Sequence, residues 1–185
     1  MARVLIPIAP GSEELEAVTI IDLLRRAEID VVVAGVQTGP VTCSRQTVIV
    51  PEADLDAVLE QDFDMIVLPG GLPGAEHLWQ HEALRGRLQR QAEAGGWLAA
   101  ICAAPRVLAE AGLLRGRRAT SFPGFLDNLE DKAPAEYLED PVVEDGNIIT
   151  SRGPGTAMDF ALTLIERLTD RATREGVEER LQRPT

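Results

Sequence analysis

The stretch Gly95-Gly96-Trp97-Leu98-Ala99-Ala100-Ile101-Cys102-Ala103-Ala104-Pro105 leaves the chain few choices. Trp97 to Ile101 is an unbroken apolar run of strand length, the pattern of a parallel strand covered on both faces. Pro105 suits the first turn of a helix, where its missing N–H costs nothing. That helix runs through Val107, Leu108 and Ala111 to a stop at Gly112. Cys102 therefore falls on the tight turn between strand and helix, where free N–H groups and the positive helix end favour a thiolate. This is the plan of a nucleophile elbow with cysteine in place of serine.

The same strand-then-helix unit recurs along the chain. Arg3 to Ala9 reads as a strand, apolar on both faces. Pro10-Gly11-Ser12 turns it into a helix with Ser12 as N-cap and Glu13 and Glu14 in the first turn. Ala17, Ile20, Ile21, Leu24 and Ala27 form its buried stripe. Asp30 to Val36 is a second strand. Val41 to Val50 reads as a strand pair or a sheet-edge excursion with Cys43 buried in it, and Ala53 to Leu59 as a short helix. Asp64 to Leu68 is a further strand ending in Pro69-Gly70-Gly71, followed by an exposed amphipathic helix over 75–92 that carries His77 and His81. Beyond the Cys102 unit come a short strand over 117–121 and an irregular stretch to Asp140. A hairpin over 142–151 turns on Asp145-Gly146. Gly153-Pro154-Gly155-Thr156 opens a long helix through Phe160, Leu164, Ile165 and Leu168, and the charged tail past Asp170 reads as a surface helix that frays. The alternation predicts an α/β sandwich around a mostly parallel sheet. Sites in such sheets lie at the carboxyl ends of the strands. If their strands are neighbours, the loops 9–16, 69–74 and 102–105 share one pocket.

At 185 residues the chain suits one domain spanning 1–185. A net charge of −12 disfavours binding driven by phosphate, so no nucleic-acid site is expected. Two cysteines, Cys43 and Cys102, imply no disulfide framework and fit a reducing, cytoplasmic setting. No apolar run reaches the roughly 18 residues of a membrane span.

Chemistry concentrates near Cys102. A desolvated carboxyl there stays protonated and hydrogen-bonds a thiolate or moves substrate protons. Glu13, Glu14 and Glu16 all lie within reach of that edge, and periodicity does not separate them; a solvated helix face is the ordinary place for each, Glu13 and Glu14 above all. Pro69-Gly70-Gly71 lets the backbone approach a ligand, and the N–H groups of Gly71 and Ala103 together suit an oxyanion. The loop lacks the Lys-Ser/Thr ending of a P-loop. His77 and His81 stand four apart, a spacing that can bind metal, but no third ligand is evident and neither pairs with Cys102. No metal and no cofactor are expected.

The set Glu13-Glu14-Leu15-Glu16, Leu68-Pro69-Gly70-Gly71, Ala100-Ile101-Cys102-Ala103-Ala104-Pro105 and Ser151-Arg152-Gly153-Pro154-Gly155-Thr156 resembles the DJ-1/ThiJ/PfpI superfamily, most closely its DJ-1 and YajL branch. The resemblance covers Arg3 to about Leu168. It implies a flavodoxin-like three-layer sandwich and a homodimer. It places Cys102 on the family's reactive, easily oxidised cysteine, Glu16 on the glutamate that hydrogen-bonds it, and Gly70 and Gly71 on the loop beside the sulfur. Arg26, Cys43 and Arg45 match positions near the family's dimer interface, and Phe122, Arg152, Gly153 and Pro154 match supports of the pocket. Two departures matter. Protease-like relatives carry a histidine directly after the nucleophile, where this chain has Ala103. Some close relatives carry a histidine in a Thr-His-Pro segment, where this chain has Phe122. A Cys-Glu dyad without histidine is poorly suited to peptide hydrolysis. The resemblance implies either a cofactor-independent glyoxalase or deglycase acting on methylglyoxal and its early adducts, or a non-catalytic redox sensor or stress chaperone whose Cys102 is oxidised to a sulfinate.

Overall fold

In the first strand, β1 (Arg3–Ile8), Val4, Ile6 and Ile8 pack into one apolar cluster and Leu5 into another, all without exposure to solvent. The period of two that splits them makes the sheet the middle layer of three. The computed structural model describes residues 1–129, 131 and 133–183. Ten more strands follow among them: β2 (Asp30–Gly35), β3 (Val41–Thr42), β4 (Val48–Ile49), β5 (Ala53–Asp54), β6 (Met65–Leu68), β7 (Trp97–Ile101), β8 (Arg118–Ala119), β9 (Glu136–Tyr137), β10 (Val142–Asp145) and β11 (Ile148–Ser151). The main sheet has seven strands in the order β10-β11-β7-β6-β1-β2-β5. Every pairing in it is parallel except β10 with β11. Its central run β2-β1-β6-β7-β11 is the 2-1-3-4-5 order of flavodoxin-like folds, as expected.

One face carries α1 (Glu14–Arg26); the other carries α2 (Leu55–Val58), α3 (Gly74–Gln80), α4 (Glu82–Glu93) and α5 (Pro105–Glu110); α6 (Ala157–Leu168) and α7 (Arg171–Arg180) join α1. Ile20, Leu23 and Leu24 of α1 meet Phe160, Leu164 and Ile165 of α6 over β1, β6 and β7. Leu78, Leu84, Leu88, Val107 and Leu108 cover the opposite face.

Several local expectations are corrected. Glu13, rather than Ser12, caps α1 by accepting the Leu15 N–H, while Ser12 Oγ accepts from Ala9 N within the turn. Glu14 is buried rather than solvated. The helix expected over 75–92 is two, because His81 is extended and its Nδ1 caps α4 by accepting the Leu84 N–H at 3.2 Å. The strand expected over 117–121 shortens to β8, paired with β9 in a small separate sheet. In the last hairpin Asp145 pairs with Ile148, so the turn is Gly146-Asn147, one residue later than read. Asp145 is drawn into the ladder because its carboxylate holds Arg118 N and Arg117 Nη1. The tail helix α7 is docked: Val177 is fully buried, and Asp170 caps it through Thr173 N.

Candidate active site at the carboxyl edge of the sheet

β7, β6 and β1 are consecutive in the sheet, so their three carboxyl-end loops meet. Cys102 follows β7 directly. Its N–H bonds Ser151 O of β11 at 3.0 Å, and its carbonyl accepts Phe122 N at 2.8 Å. Those bonds hold it at φ +63°, a left-handed conformation costing a β-carbon residue about 1–3 kcal/mol. The turn that results, followed by Pro105 at the start of α5, is the elbow read from the sequence.

Glu16 enters from the first turn of α1 and has no exposed surface. Its Oε2 accepts the Gly70 N–H at 2.8 Å, whereas Oε1 is buried without a hydrogen-bond partner among the described residues. Burial pushes the Glu16 carboxyl up to about 7, against the Gly70 N–H and the Cys102 side chain, which favour its charged form. Burial also pushes the Cys102 thiol well above the ordinary range, helped by the Glu16 charge and its hydrogen bond. The backbone N–H groups of Gly71 and Ala103 act on the same sulfur and pull the other way. Glu16 raises the thiol whereas the Cys102 side chain lowers the carboxyl, so the first proton to leave the pair is that of Glu16.

The glycines are there for space. A β-carbon on Gly70 would stand 2.7 Å from Cys102 Cβ and 2.8 Å from Glu16 Oε2. One on Gly71, at φ +88°, would stand 2.3 Å from Glu13 N. Glu13 N in turn bonds Gly70 O at 2.9 Å, tying the loop after β6 to the start of α1.

A cavity of about 290 Å³ opens over the sulfur. Glu13, Ser44, Arg45, Gly71, Leu72, Cys102, Ala103, Phe122, Phe125 and Pro154 line it. Of the residues expected at the pocket, Gly153 lies behind the Phe122 ring, whose edge a β-carbon there would approach to 3.3 Å. Arg152 turns away to Tyr137 Oη at 3.2 Å and Glu139 at 3.5 Å. Arg26, on the last turn of α1, is exposed and paired with Asp22 at 2.6 Å. Cys43 is buried where the β3–β4 turn begins, and burial together with Glu14 and Glu13 raises its thiol to about 11.

The position missed in the sequence is Glu14. Its carboxylate accepts Arg45 N at 2.9 Å, Thr47 N at 3.2 Å and Ser44 Oγ at 3.0 Å. Burial alone would raise Glu14, but those donors and its own N–H bring it to about 2. It thereby fixes the hairpin that presents Arg45 and Ser44 to the cavity. Nothing in local pattern marks it, since its partners lie some thirty residues away. His77 and His81 are drawn apart: His77 Nδ1 donates to Pro10 O at 3.1 Å, and His81 Nδ1 is spent on Leu84. Among the described residues no group of three or more His, Cys, Asp or Glu is placed to hold a metal ion.

The family model of the DJ-1/PfpI family matches residues 2–167. The chain is 47% identical to Protein DJ-1 homolog A of Arabidopsis thaliana over 91% of its own length but only 43% of that relative's. It is 38% identical to the Glutathione-independent glyoxalase DJR-1.2 of Caenorhabditis elegans, covering 90% of this chain and 88% of that one. The crystal structure of Drosophila melanogaster DJ-1beta superposes with a TM-score of 0.94 at 41% identity, covering 100% of this chain and 99% of the other.

Proposed function

The chain belongs to the DJ-1/PfpI family, and on that premise we propose that it is a cofactor-independent glyoxalase or deglycase, acting on methylglyoxal or its early protein and nucleotide adducts. The observation that carries this reading is the meeting of Cys102 with the N–H groups of Gly71 and Ala103 on one wall of an open cavity, with the fully buried Glu16 set against the Cys102 side chain. The C. elegans relative named as a glutathione-independent glyoxalase supports it.

In this reading the pair rests as thiol and carboxylate, and Glu16 takes the Cys102 thiol proton as the substrate enters, leaving the thiolate. The sulfur adds to the aldehyde carbon, forming the C–S bond of a hemithioacetal, whose oxygen the Gly71 and Ala103 N–H groups stabilise. Glu16 first gives its proton to that oxygen, then takes the proton from the same carbon and returns it to the neighbouring carbonyl carbon while the hydroxyl proton passes to the second oxygen, giving a lactoyl thioester. Water then cleaves the C–S bond, releasing lactate and restoring the thiol–carboxylate pair. The net change is dicarbonyl plus water to hydroxy acid, with no external oxidant. The test is lactate formation from methylglyoxal by the wild-type chain, Cys102→Ser and Glu16→Gln side by side. Activity in the wild type alone is expected; equal activity in Cys102→Ser would sink the mechanism.

A second reading has its own support. The Gly71 and Ala103 N–H groups act on the sulfur itself, where they would also hold the oxygens of a sulfinate. Peroxide would transfer oxygen to the thiolate and leave as water, first to sulfenate and then to sulfinate, as a redox sensor or stress chaperone requires. Intact mass after mild peroxide should show the added oxygens on Cys102 and none on Cys43.

The working form is a homodimer. Leu15, Val18, Val48 and Val50 are all about half exposed or more, and a groove between α1 and the β3–β4 hairpin is lined by Val18, Ile21, Val33, Ile49 and Val50 together with the charged Asp22, Arg25 and Glu52. An apolar strip with a charged rim of this kind suits a protein partner.

A further inference from the structure

The cavity over Cys102 has a wall that the chemistry of a three-carbon dicarbonyl does not use. Phe122 is 46% exposed beside the sulfur, and Phe125 meets it edge-on with ring centroids 6.4 Å apart. Both line the cavity, with Pro154 and Leu72 completing an apolar rim. Phe125 is half-buried and Phe122 is left open to the cavity, although an aromatic ring is ordinarily buried.

Nor is the wall a loose loop. Phe122 N donates to Cys102 O at 2.8 Å, so the ring is carried on the backbone of the nucleophile. Phe125 N closes the turn on Phe122 O at 3.3 Å, Ser121 Oγ donates to the same carbonyl, and the fully buried Leu126 anchors the far end. The absence of a side chain at Gly153 gives the Phe122 ring its seat. At about 290 Å³ the cavity approaches the smallest pockets that take a drug-sized ligand, and methylglyoxal leaves most of it empty.

We propose that the Phe122–Phe125 wall fits this cavity to electrophiles bearing an aromatic ring beside the reactive carbon, so that the preferred class is an aryl α-oxoaldehyde rather than a small alkyl one. The substrate half of this statement rests on the glyoxalase reading; the aryl selectivity of the cavity does not. Turnover of an aryl α-oxoaldehyde follows the same steps: the thiolate adds to the aldehyde, the proton moves to the ketone carbon, and water releases an aryl hydroxy acid. The aryl ring stacks on or edges against Phe122 throughout, an interaction worth about tenfold in rate.

The experiment separates the two layers. Cys102 is alkylated with 2-bromoacetophenone and with bromoacetone, the thiol sulfur displacing bromide in each case, and each rate is divided by that of free glutathione. Intact mass follows the reaction. The wild-type chain is expected to favour the aryl reagent by about tenfold over glutathione. Phe122→Ala should lose that preference and Phe122→Tyr should keep it. A wild-type ratio equal to that of glutathione, or a preference unmoved by Phe122→Ala, overturns the proposal. Phenylglyoxal and methylglyoxal turnover are then compared: a higher kcat/KM for phenylglyoxal that falls in Phe122→Ala supports the substrate class, and the reverse order overturns it. Aryl-selective alkylation with neither aldehyde turned over upholds the selectivity of the cavity, overturns the substrate class and refutes the glyoxalase reading.

Discussion

Glu16 is held with no solvent exposure by a single backbone donor, Gly70 N, and its carboxyl rises from 4.5 to about 7. Between those values the folded chain binds more protons than the unfolded one. The stability associated with the neutral carboxyl is therefore fully present below about 4.5 and is lost as the pH rises through 7. The shift corresponds to about 3 kcal/mol. Glu16→Gln removes the titration, so its unfolding free energy, followed by urea denaturation between pH 5 and 8, should be flatter than that of the wild type and higher at the alkaline end. Lactate formation by the same variant should fall by about a hundredfold or more. The ionised Glu16 can also take the thiol proton as the sulfur attacks, so Cys102 alkylation should accelerate as the pH rises through about 7 even though the thiol itself is held well above its ordinary range. A Glu16→Gln profile parallel to the wild type would show that another group titrates. None of this coupling could be read from spacing. The apolar run before Cys102 marks the elbow, whereas Glu13, Glu14 and Glu16 look alike by periodicity; only the family resemblance singles out Glu16, and the fold seats its carboxyl on Gly70 N.

At the scale of elements, legibility follows the range of the interactions. Strands buried on both faces announce themselves as unbroken apolar runs, and β1, β2, β6 and β7 sit where such runs stand. The helix over 75–92 was misread because His81 fits a helical pattern yet works as a cap, its ring replacing a backbone acceptor for Leu84 N. Glu14 was misread because its partners belong to the β3–β4 hairpin. The hairpin has only two short strands and rests on that carboxylate through the N–H groups of Arg45 and Thr47 and the Ser44 hydroxyl. Glu14→Ala should therefore cost about 2–3 kcal/mol, the worth of one well-made hydrogen bond to a charged group, with the shared loss of its neighbours. Hydrogen exchange should show residues 43–47 losing protection before the main sheet. The sign with pH is opposite to that of Glu16: the Glu14 contribution is present above 4.5 and disappears as the pH falls through about 2. In the loop after β6, Gly70→Ala should unseat the Cys102–Glu16 pair through two contacts under 3 Å, one of them with the carboxylate itself. Overpacking of that kind costs about 1–3 kcal/mol, and activity should fall further than stability because the displaced atoms are the reacting ones.

For the molecule as a whole, the surface left uncovered is the informative one. A net charge of −12 keeps a chain of this size dispersed, and no helix among the described residues is long and apolar enough to cross a membrane. Yet Val50 is 70% exposed, Val48 56%, Leu15 51% and Val18 49%, and they cluster on α1 and the hairpin rather than scatter. Both elements also frame the site: α1 supplies Glu16, and the hairpin supplies Ser44 and Arg45 to the cavity. A second copy seated on that face would bury the valines and stiffen the hairpin that Glu14 holds from within. Val18→Asp combined with Val50→Asp should then convert a dimer into a monomer in light scattering, because two buried charges per copy have no partners across a two-fold axis. Neither side chain lies in the core, so the monomer should keep its sheet and its far-ultraviolet dichroism, while Cys102 should react faster or slower only as far as the hairpin loosens. A wild-type chain that sediments as a monomer at micromolar concentration would leave those valines facing water and refute the dimer.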